Sequence, residues 1–459
     1  MCIRDRPTNV DKFSLQWGNF TASANWKYIF SHKMFANITG VYTHNQSNFN
    51  YLSEERLGYI EGTKGAIVKE QRNRSTIHDF GYRMEFDYRP NVWNHIRFGS
   101  NYMHHLFVPQ NYYSKYDDAS PNALTDQIIS RYRSNEFTLY AEDDLSVGKH
   151  VKLNGGVHYT LFGISGTKYH SIEPRAAIHL RLCDKASLKV SYTEMSQFMH
   201  QLSATYLNLP TDYWVPSTAH ITPMKSRQYA AGVYGKLPYG IRWNLEGFYK
   251  TLDNLIEYDG SSGVLNPTAD RWENEVRTGK GKAYGMETDV SYSHGKTSVD
   301  ASYTLSWSKR YFPDFYPVWY PDKFDNRHKF SVSISHKFND RIDAYASWNY
   351  RSGNRITLPS QQVDAPVLPG VERTNEEMLV YEMPNNVSLP AYHRLDVGIN
   401  FRKTTKRGFE RIWNVSLYNA YCRMNPLYAT VQQNPDGTFV GKAHGVFPVI
   451  PSFSYTLKF

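Results

Sequence analysis

The sequence has few cysteines and no long apolar stretch. Its three cysteines, Cys2, Cys183 and Cys422, are far apart and odd in number, so they indicate neither a disulfide framework nor a paired-thiol metal site. The mean hydropathy of the chain is −0.59. No uninterrupted apolar run reaches about 18 residues, which excludes transmembrane helices.

The N-terminus and the distribution of basic residues exclude two further interpretations. The opening MCIRDRP lacks the apolar core of a signal peptide. It resembles translated sequencing adapter, so we interpret residues 1–12 as a non-native or partial start. The formal net charge is +9, yet no dense run of lysine and arginine favours nucleic acid as the partner. Lipopolysaccharide or a negatively charged ligand would suit this charge.

Sequence motifs of catalysis are also missing. We find no HExxH, GxSxG, Walker P-loop, paired CxxC or strand-to-helix GxGxxG pattern. His104 and His105 are adjacent on a predicted strand, so their side chains point to opposite faces and are poor joint metal ligands. We therefore predict no catalytic residue, no metal site, no cofactor and no enzymatic activity.

Aromatic side chains, in contrast, are abundant. They make up 15% of the chain, with 36 Tyr, 24 Phe and 10 Trp among 459 residues. This chain is too long and too aromatic for a disordered tail or a minimal module. Its length suggests roughly two to four globular domains or one large β-barrel.

Apolar and polar residues alternate along most of the chain, which places successive side chains on opposite faces of a strand. Within residues 393–402, one face has Leu395, Val397, Ile399 and Phe401. Residues 329–338 and 452–459 alternate in the same way. No convincing amphipathic helix separates such segments, so we predict an all-β fold.

The alternation predicts about seventeen strands, many longer than the usual five or six residues. They cover residues 13–30, 33–50, 76–89, 93–109, 134–147, 150–163, 172–183, 186–200, 226–237, 240–257, 281–293, 296–310, 326–338, 341–358, 391–402, 410–428 and 446–459.

The connections between these strands alternate between tight turns and long loops. Long loops are expected at 51–75, 110–133, 201–225, 258–280, 311–325, 359–390 and 429–445, with 164–171 as a short exception. Tight turns on one rim and long loops on the other are typical of a transmembrane antiparallel β-barrel of the outer membrane. Tyr and Trp at the strand ends would form its interfacial girdles. A soluble sandwich, propeller or solenoid is the alternative, but it should show shorter strands or a fixed repeat.

Several segments resemble the β-barrel of TonB-dependent receptors, the active transporters of the Gram-negative outer membrane. The resemblance extends over nearly the whole chain from about residue 75, and it rests on the order and spacing of weak motifs. These are GKGKAYGMETDVSYS with Gly285 and Glu287, DKFDNRHKFSVSISHKF with Asp325, Arg327 and His328, WNYRSGNRITLP, LPAYHRLDVGINF, WNVSLYNAYCRMNPLY with Asn419 and the Asn425–Pro426 pair, and the C-terminal PSFSYTLKF with terminal Phe459.

The resemblance implies a larger protein than this chain. Receptors of this family have about 22 strands and an N-terminal plug that TonB contacts. We therefore expect residues 13–459 to be an incomplete barrel of about 17 strands without the plug, unable to transport alone. The expected partners are outer-membrane lipid and lipopolysaccharide, the TonB complex through the missing plug, and a nutrient ligand, with a surface lipoprotein as a further candidate.

Two aromatic loops are the candidate ligand-binding surfaces, because aromatic rings can stack on sugars, peptides or chelates. The candidate residues are Tyr206, Asp212, Tyr213, Trp214 and His220 in the first loop, and Tyr316, Trp319 and Tyr320 in the second. The alternative is that these side chains pack the loops together or lie in the outer girdle. The motif residues have structural explanations as well. We expect Gly285 and Glu287 in strand packing and the lumen, Asp325, Arg327 and His328 in a polar cluster, and Asn419 and Pro426 at a strand end.

Two other functions are alternatives to active nutrient transport. A passive outer-membrane porin or channel is the main alternative, and a plugless barrel with an even strand number would favour it. A membrane-embedded hydrolase would need a clustered nucleophile, base and orienting group, and the sequence does not assemble one. Iron chelates, cobalamin, oligosaccharides and peptides all remain possible ligands, because the fold does not determine the substrate.

Overall fold

A computed structural model describes ten stretches of the chain. They are residues 8–56, 66–117, 124–202, 213–258, 272–314, 316–364, 377–405, 408–434, 439–445 and 447–458. Within these stretches no helix is both long and apolar enough to cross a membrane. The only helices described there are two short 3₁₀ turns, Pro238–Gly240 and Trp272–Glu275.

The remaining elements are strands. In chain order they are β1 (Thr8–Ser31), β2 (Met34–Arg56), β3 (Ala66–Tyr88), β4 (Asn94–Asp117), β5 (Leu124–Val147), β6 (Val151–Ile164), β7 (Thr167–Cys183), β8 (Ala186–Gln197), β9 (Met199–Leu202), β10 (Tyr213–Pro216), β11 (Met224–Leu237), β12 (Ile241–Tyr258) and β13 (Val276–His294). They continue with β14 (Thr297–Phe312), β15 (Tyr316–Pro321), β16 (His328–Asn339), β17 (Ile342–Arg351), β18 (Arg355–Ile356), β19 (Gln361–Asp364), β20 (Glu377–Val380), β21 (Val387–Ser388), β22 (Tyr392–Thr404), β23 (Glu410–Tyr418), β24 (Pro426–Gln433), β25 (Phe439–Gly445) and β26 (Ile450–Lys458).

One antiparallel sheet dominates the structure. It has 18 strands. The short β15 pairs only with the C-terminal end of β14, and the other 17 strands form a continuous wall. The wall follows the chain order through β1–β8, β11–β14, β16, β17, β22, β23 and β26. The predicted all-β fold and its seventeen strands are confirmed. Within the described residues, no ladder joins β1 to β26.

The long-loop rim contains more strand than we predicted. The segments 51–75 and 110–133 are mostly hairpin, because β2 pairs with β3 up to Arg56 and Ala66, and β4 pairs with β5 up to Tyr116 and Leu124. Away from a bilayer both faces of a strand can be polar, so the alternation fades while the backbone pairing continues. Conversely, the predicted strands 341–358 and 410–428 were too long, since β17 and β23 end earlier.

The two faces of the wall differ in polarity, and the strand register aligns them across neighbours. On the outer face, Trp348 is opposite Leu395, and Ala346 is opposite Val397, which in turn faces Leu417. On the inner face, Asp343 accepts hydrogen bonds from Arg402 Nε at 2.6 Å and Asn400 Nδ2 at 2.7 Å. An apolar outer face and a hydrogen-bonded polar lumen are the arrangement of a membrane barrel.

Tight strand contacts in the wall use glycine opposite a large ring. Gly398 is in register with Tyr345 on the adjacent strand, and the Tyr345 ring covers the Gly398 backbone. A Cβ at this glycine would collide with the ring. The missing side chain is thereby replaced by a neighbouring aromatic, which packs and covers the glycine.

The cysteines are unpaired where the structure describes them. Cys183 and Cys422 are both free and exposed, and Cys2 lies outside the described residues. Cys422 has a φ of 54° in the turn that follows β23. Neither described cysteine therefore links parts of the wall.

Candidate functional site

The connections at the long-loop rim pack into small hydrophobic cores. The largest core joins Leu202, Val215, Ile221, Ile256, Trp272 and Val276. Trp272 is fully buried, and its indole Nε1 donates a hydrogen bond to the Tyr132 hydroxyl at 3.1 Å. Three further cores surround Phe162, Phe312 and Ile356. The long connections therefore form a packed crown over one end of the wall, which we call the loop crown.

The first group of candidate ligand residues is only partly described. Tyr206 and Asp212 lie outside the described residues. Tyr213 pairs through its backbone with Leu202 in the hairpin of β9 and β10. Trp214 is half-buried in β10, and His220 is exposed in the following turn. The structure thus places Trp214 and His220 in the same crown segment, close to solvent.

The second group divides between two faces. Tyr320 is fully buried beside Phe312, and Tyr316 packs half-buried against this core. Trp319 instead stacks on Tyr311, with ring centroids 5.5 Å apart. Tyr311 is on the outer face of β14, because every second residue of a strand lies on the same face and Leu305, Trp307 and Lys309 precede it there. Trp319 therefore lies at the outer edge of the wall, whereas Tyr320 lies inside the crown. Ligand contact by any of the eight candidates stays a prediction.

Tyr320 belongs to a buried ionic network that the sequence did not indicate. Its hydroxyl donates to Glu257 Oε2 at 2.9 Å. Arg310 bridges Glu257 Oε1 at 2.7 Å and Asp322 Oδ2 at 3.0 Å. Burial, followed by the neighbouring Glu257 carboxylate, raises the pKa of Tyr320 well above its usual range. The network ties β12, β14 and β15 together beneath the crown.

The predicted polar cluster around Asp325 is confirmed for two of its three residues. Asp325 is buried, and its carboxylate accepts hydrogen bonds from the Ser308 backbone N–H at 2.9 Å and from Arg327 at 3.1 Å. His328 is exposed, and its Nδ1 is 3.0 Å from the Tyr303 hydroxyl. His328 thus lies outside the cluster because β16 begins at this residue and directs its side chain to the outer face.

The asparagines of the family-like segments shape strand ends, as predicted for Asn419. Asn419 is buried with a φ of 56°, and its amide donates to the carbonyls of Arg423 and Phe447 at 2.9 and 3.1 Å. Asn425 clamps the start of β22, because it both donates to and accepts from the His393 backbone. The asparagine side chains therefore hydrogen-bond backbone N–H and C=O groups that have no backbone partner in the turns.

Gly285 and Glu287 lie on the inner face of β13. A Cβ at Gly285 would collide with the carbonyl oxygen of Leu305. Glu287 is exposed, with Glu246 and Thr304 opposite it on the two neighbouring strands. Their expected roles in strand packing and the lumen are confirmed by these positions.

The lumen contains a polar row on three adjacent strands, in which His105 and Ser134 are buried and Asp79 is half-buried. Asp79, His105 and Ser134 are in register on β3, β4 and β5. His105 Nδ1 lies 2.7 Å from Asp79 Oδ1, and its Nε2 is 3.9 Å from Glu136 Oε2. His104, on the opposite face, contacts Asn135 instead, as the alternation predicted. Within the described residues, no group of three His, Cys, Asp or Glu side chains is placed to hold a metal ion.

The tight-turn end of the lumen is open and basic. A cavity of about 1160 Å³ lies there. Its lining includes Lys33, Arg89, His95, Lys152, His179 and Lys189. Arg97 pairs with Glu142 at 3.0 Å and with Asp144, which also lines this cavity, at 2.9 Å. The sequence indicated these residues only as the polar half of the alternation, because pairing partners lie on different strands.

Comparison with solved structures identifies similar folds at low sequence identity. The FrpB iron transporter from Neisseria meningitidis has a TM-score of 0.52 and 12% identity, with 98% of this chain and 78% of that chain covered. The pyoverdine outer membrane receptor FpvA from Pseudomonas aeruginosa has a TM-score of 0.61 and 12% identity, with 96% and 62% covered. The ferric preacinetobactin receptor BauA from Acinetobacter baumannii has a TM-score of 0.55 and 14% identity, with 96% and 63% covered.

This chain thus spans less than two thirds of the FpvA and BauA chains. A search of curated proteins finds no matching sequence. The family model described as "TonB dependent receptor-like, beta-barrel" matches residues 4–421. The match covers most of the chain and agrees with the wall, its polar lumen and its loop crown. The chain belongs to the family of TonB-dependent receptor-like β-barrels.

Proposed function

We propose that this chain is the barrel part of an outer-membrane active transporter, which binds a scarce nutrient at the loop crown and imports it with energy transmitted by TonB. The observation that carries the proposal is a family match over residues 4–421 on a wall whose long connections pack into a crown at one rim. The long-loop rim would face the cell exterior, and the tight turns would face the periplasm.

The two faces of the wall support a position in the membrane. Large apolar side chains such as Ile334, Val415 and Phe453 remain exposed on the outer face, where hydrocarbon would cover them. The inner face instead carries hydrogen-bonded charges such as Asp343 and Arg402. Such a lumen suits a water-filled or plugged interior and is costly in contact with lipid.

The crown supplies the surface on which we propose that the ligand binds. Trp214, His220 and Tyr316 retain exposure in the described part of the crown, and Tyr206, Asp212 and Tyr213 belong to the same proposal. Tyr320 would support ligand binding indirectly by holding β15 in place. Trp319 would contact a ligand only at the outer edge of the wall. The similar structures are of an iron transporter, a pyoverdine receptor and a ferric preacinetobactin receptor, at an identity that supports similarity of fold alone.

Uptake assays of the complete gene product test this function. A deletion strain, with and without a functional TonB system, would be grown on limiting iron chelates, cobalamin, oligosaccharides or peptides. We expect one nutrient class to require both the gene and TonB. Uptake that persists without TonB would instead indicate the passive channel.

Variants of the crown separate ligand binding from barrel assembly. Trp214→Ala and His220→Ala should weaken nutrient binding to whole cells while the amount of folded protein in the outer membrane stays constant. Lys149→Gln, at an exposed tight turn, is the matched control. Unchanged nutrient binding by both crown variants would contradict the proposed residues without contradicting transport.

A further inference from the structure

A continuous row of aromatic side chains crosses five neighbouring strands on the outer face. The strand register aligns Tyr192, Tyr229, Tyr249, Tyr284 and Trp307 from β8 to β14. Adjacent rings are close: the centroids of Tyr192 and Tyr229 are 5.0 Å apart, and those of Tyr284 and Trp307 are 5.4 Å apart. Rings of this type mark the level where lipid chains meet headgroups. We call these residues the aromatic row.

The next row toward the loop crown carries positive charge. Lys282 on β13 is directly opposite Lys309 on β14. Lys280 follows on the same face of β13, opposite Tyr311. We call Lys280, Lys282 and Lys309 the lysine triad. Like charges directly opposite on adjacent strands are destabilising, so the pair requires compensation.

The compensation is only partial inside the protein. The ammonium of Lys282 lies 4.1 Å from the centroid of the Trp319 ring, a cation–π contact that leaves its positive charge in place. Elsewhere in the same row, Arg227 is balanced by Glu194 at 3.7 Å and Asp253 at 3.2 Å. Within the described stretches, no ion pair reaches the lysine triad.

From this arrangement we propose that the lysine triad binds the phosphate groups of an outer-leaflet glycolipid of the lipid A type. Three observations carry the proposal: the triad lies on the lipid-facing side, it begins one residue pair above the aromatic row, and two of its lysines face each other with no ion-pair partner among the described residues. Lipid phosphates lie at this level of a bilayer, so the lipid chains would cover the apolar outer face while the phosphates contact the lysines.

The inference rests on the proposed function in one respect, since it needs the long-loop rim to face the outer leaflet. It assigns a site and a chemical group to the lipid partner expected from the sequence, and nutrient transport does not require this site. Trp319 acquires a role here as well, because its ring holds the Lys282 ammonium at the outer edge, where a phosphate could reach it.

Lipid titration of the complete gene product tests the proposal. Protein in mild detergent would be titrated with bisphosphorylated lipid A and, in parallel, with dephosphorylated lipid A, using native mass spectrometry to count bound lipid. Each lysine near a lipid phosphate contributes about 1 kcal/mol, so Lys282→Gln with Lys309→Gln should weaken lipid A binding about 25-fold. The charge-conserving pair Lys282→Arg with Lys309→Arg should bind as the parent does.

The matched control is Lys149→Gln with Lys185→Gln, which removes two exposed lysines from the tight-turn rim. We expect this variant to bind lipid A normally. If the triad double variant does not fold, the single Lys309→Gln variant gives the same comparison with about a fivefold effect. Equal binding of dephosphorylated lipid A, or equal effects of the triad and control variants, would overturn the proposal. Neither result would affect TonB-dependent uptake, so the two proposals fail separately.

Discussion

Tyr320 illustrates what one hydroxyl contributes beneath the loop crown. Its O–H bond to Glu257 is buried together with the Arg310 bridge. Tyr320→Phe removes the donor and leaves the Glu257 carboxylate with Arg310 as its partner, a change that should cost about 1–2 kcal/mol. Hydrogen exchange of residues 316–321 measures the loss as faster amide exchange. Tyr316→Phe, at a half-buried ring of the same segment, is the control and should change exchange little.

His200 predicts a pH response of the crown. This histidine is buried in β9, with its Nε2 3.1 Å from Ser217 Oγ, and burial lowers its pKa to about 4. At neutral pH both the folded and the unfolded crown carry the neutral ring. Below pH 6.5 the His200 ring binds a proton in the unfolded chain but stays neutral in the folded crown. The free energy of unfolding of the crown therefore falls by about 2–3 kcal/mol as the pH approaches 4.

Limited proteolysis of the crown between pH 7 and pH 4 measures this response. His200→Gln, which stays neutral, should remove most of the acid sensitivity contributed by this site. His220→Gln, at an exposed histidine of the same segment, should retain it. An acid sensitivity that is identical in both variants would show that His200 does not carry it.

At the scale of elements, the close approach of β17 and β22 depends on one missing side chain. Gly398→Ala would push a Cβ into the Tyr345 ring, and overpacking of this kind costs about 1–3 kcal/mol. Urea unfolding of the folded barrel should show this loss. Gly40→Ala is a matched control, since nothing lies within 4 Å of its added Cβ. Gly398→Ala combined with Tyr345→Ala should regain part of the lost stability.

The strands of the wall could be predicted from the sequence where they lie away from the loop crown, because hydrocarbon and lumen favour side chains of opposite polarity on the two faces. The predicted 326–338 and 391–402 match β16 and β22 within about two residues. The crown could not be predicted in this way. Its hairpins alternate weakly, and its cores join residues such as Tyr132 and Trp272 that are 140 positions apart. Long-range contacts of this kind leave no periodic pattern.

The candidate site was likewise predictable only in part from the sequence. Aromatic content identified the loops around Trp214 and Tyr320, but it did not separate outward Trp319 from buried Tyr320. Adjacent positions point to opposite faces only once the register of β15 against β14 is known. The network of Arg310, Glu257 and Asp322 was missed altogether, because its members come from three separate segments.

For the whole molecule, the contrast between the two faces of the wall is testable. Ile334 is 44% exposed on the outer face of β16, and Ser333 is next to it on the inner face. Ile334→Arg places a charge in hydrocarbon and should cost about 2–4 kcal/mol. Ser333→Arg should be tolerated, because Asp300 on the neighbouring β14 lies directly opposite it on the lumen face. Heat-modifiable gel mobility of the complete gene product in outer membranes measures the folded fraction, and equal losses would contradict the assignment of faces.

The hairpins β2–β3 and β4–β5 reach far beyond what a bilayer needs. β4 and β5 have 24 residues each. At about 3.3 Å per residue and a tilt of about 45°, such a strand rises about 55 Å, whereas the lipid-covered band is about 25 Å tall. In a cell envelope the strand ends farthest from the tight turns would project into the carbohydrate layer. There they would be within reach of an antibody, a bacteriophage or a protease.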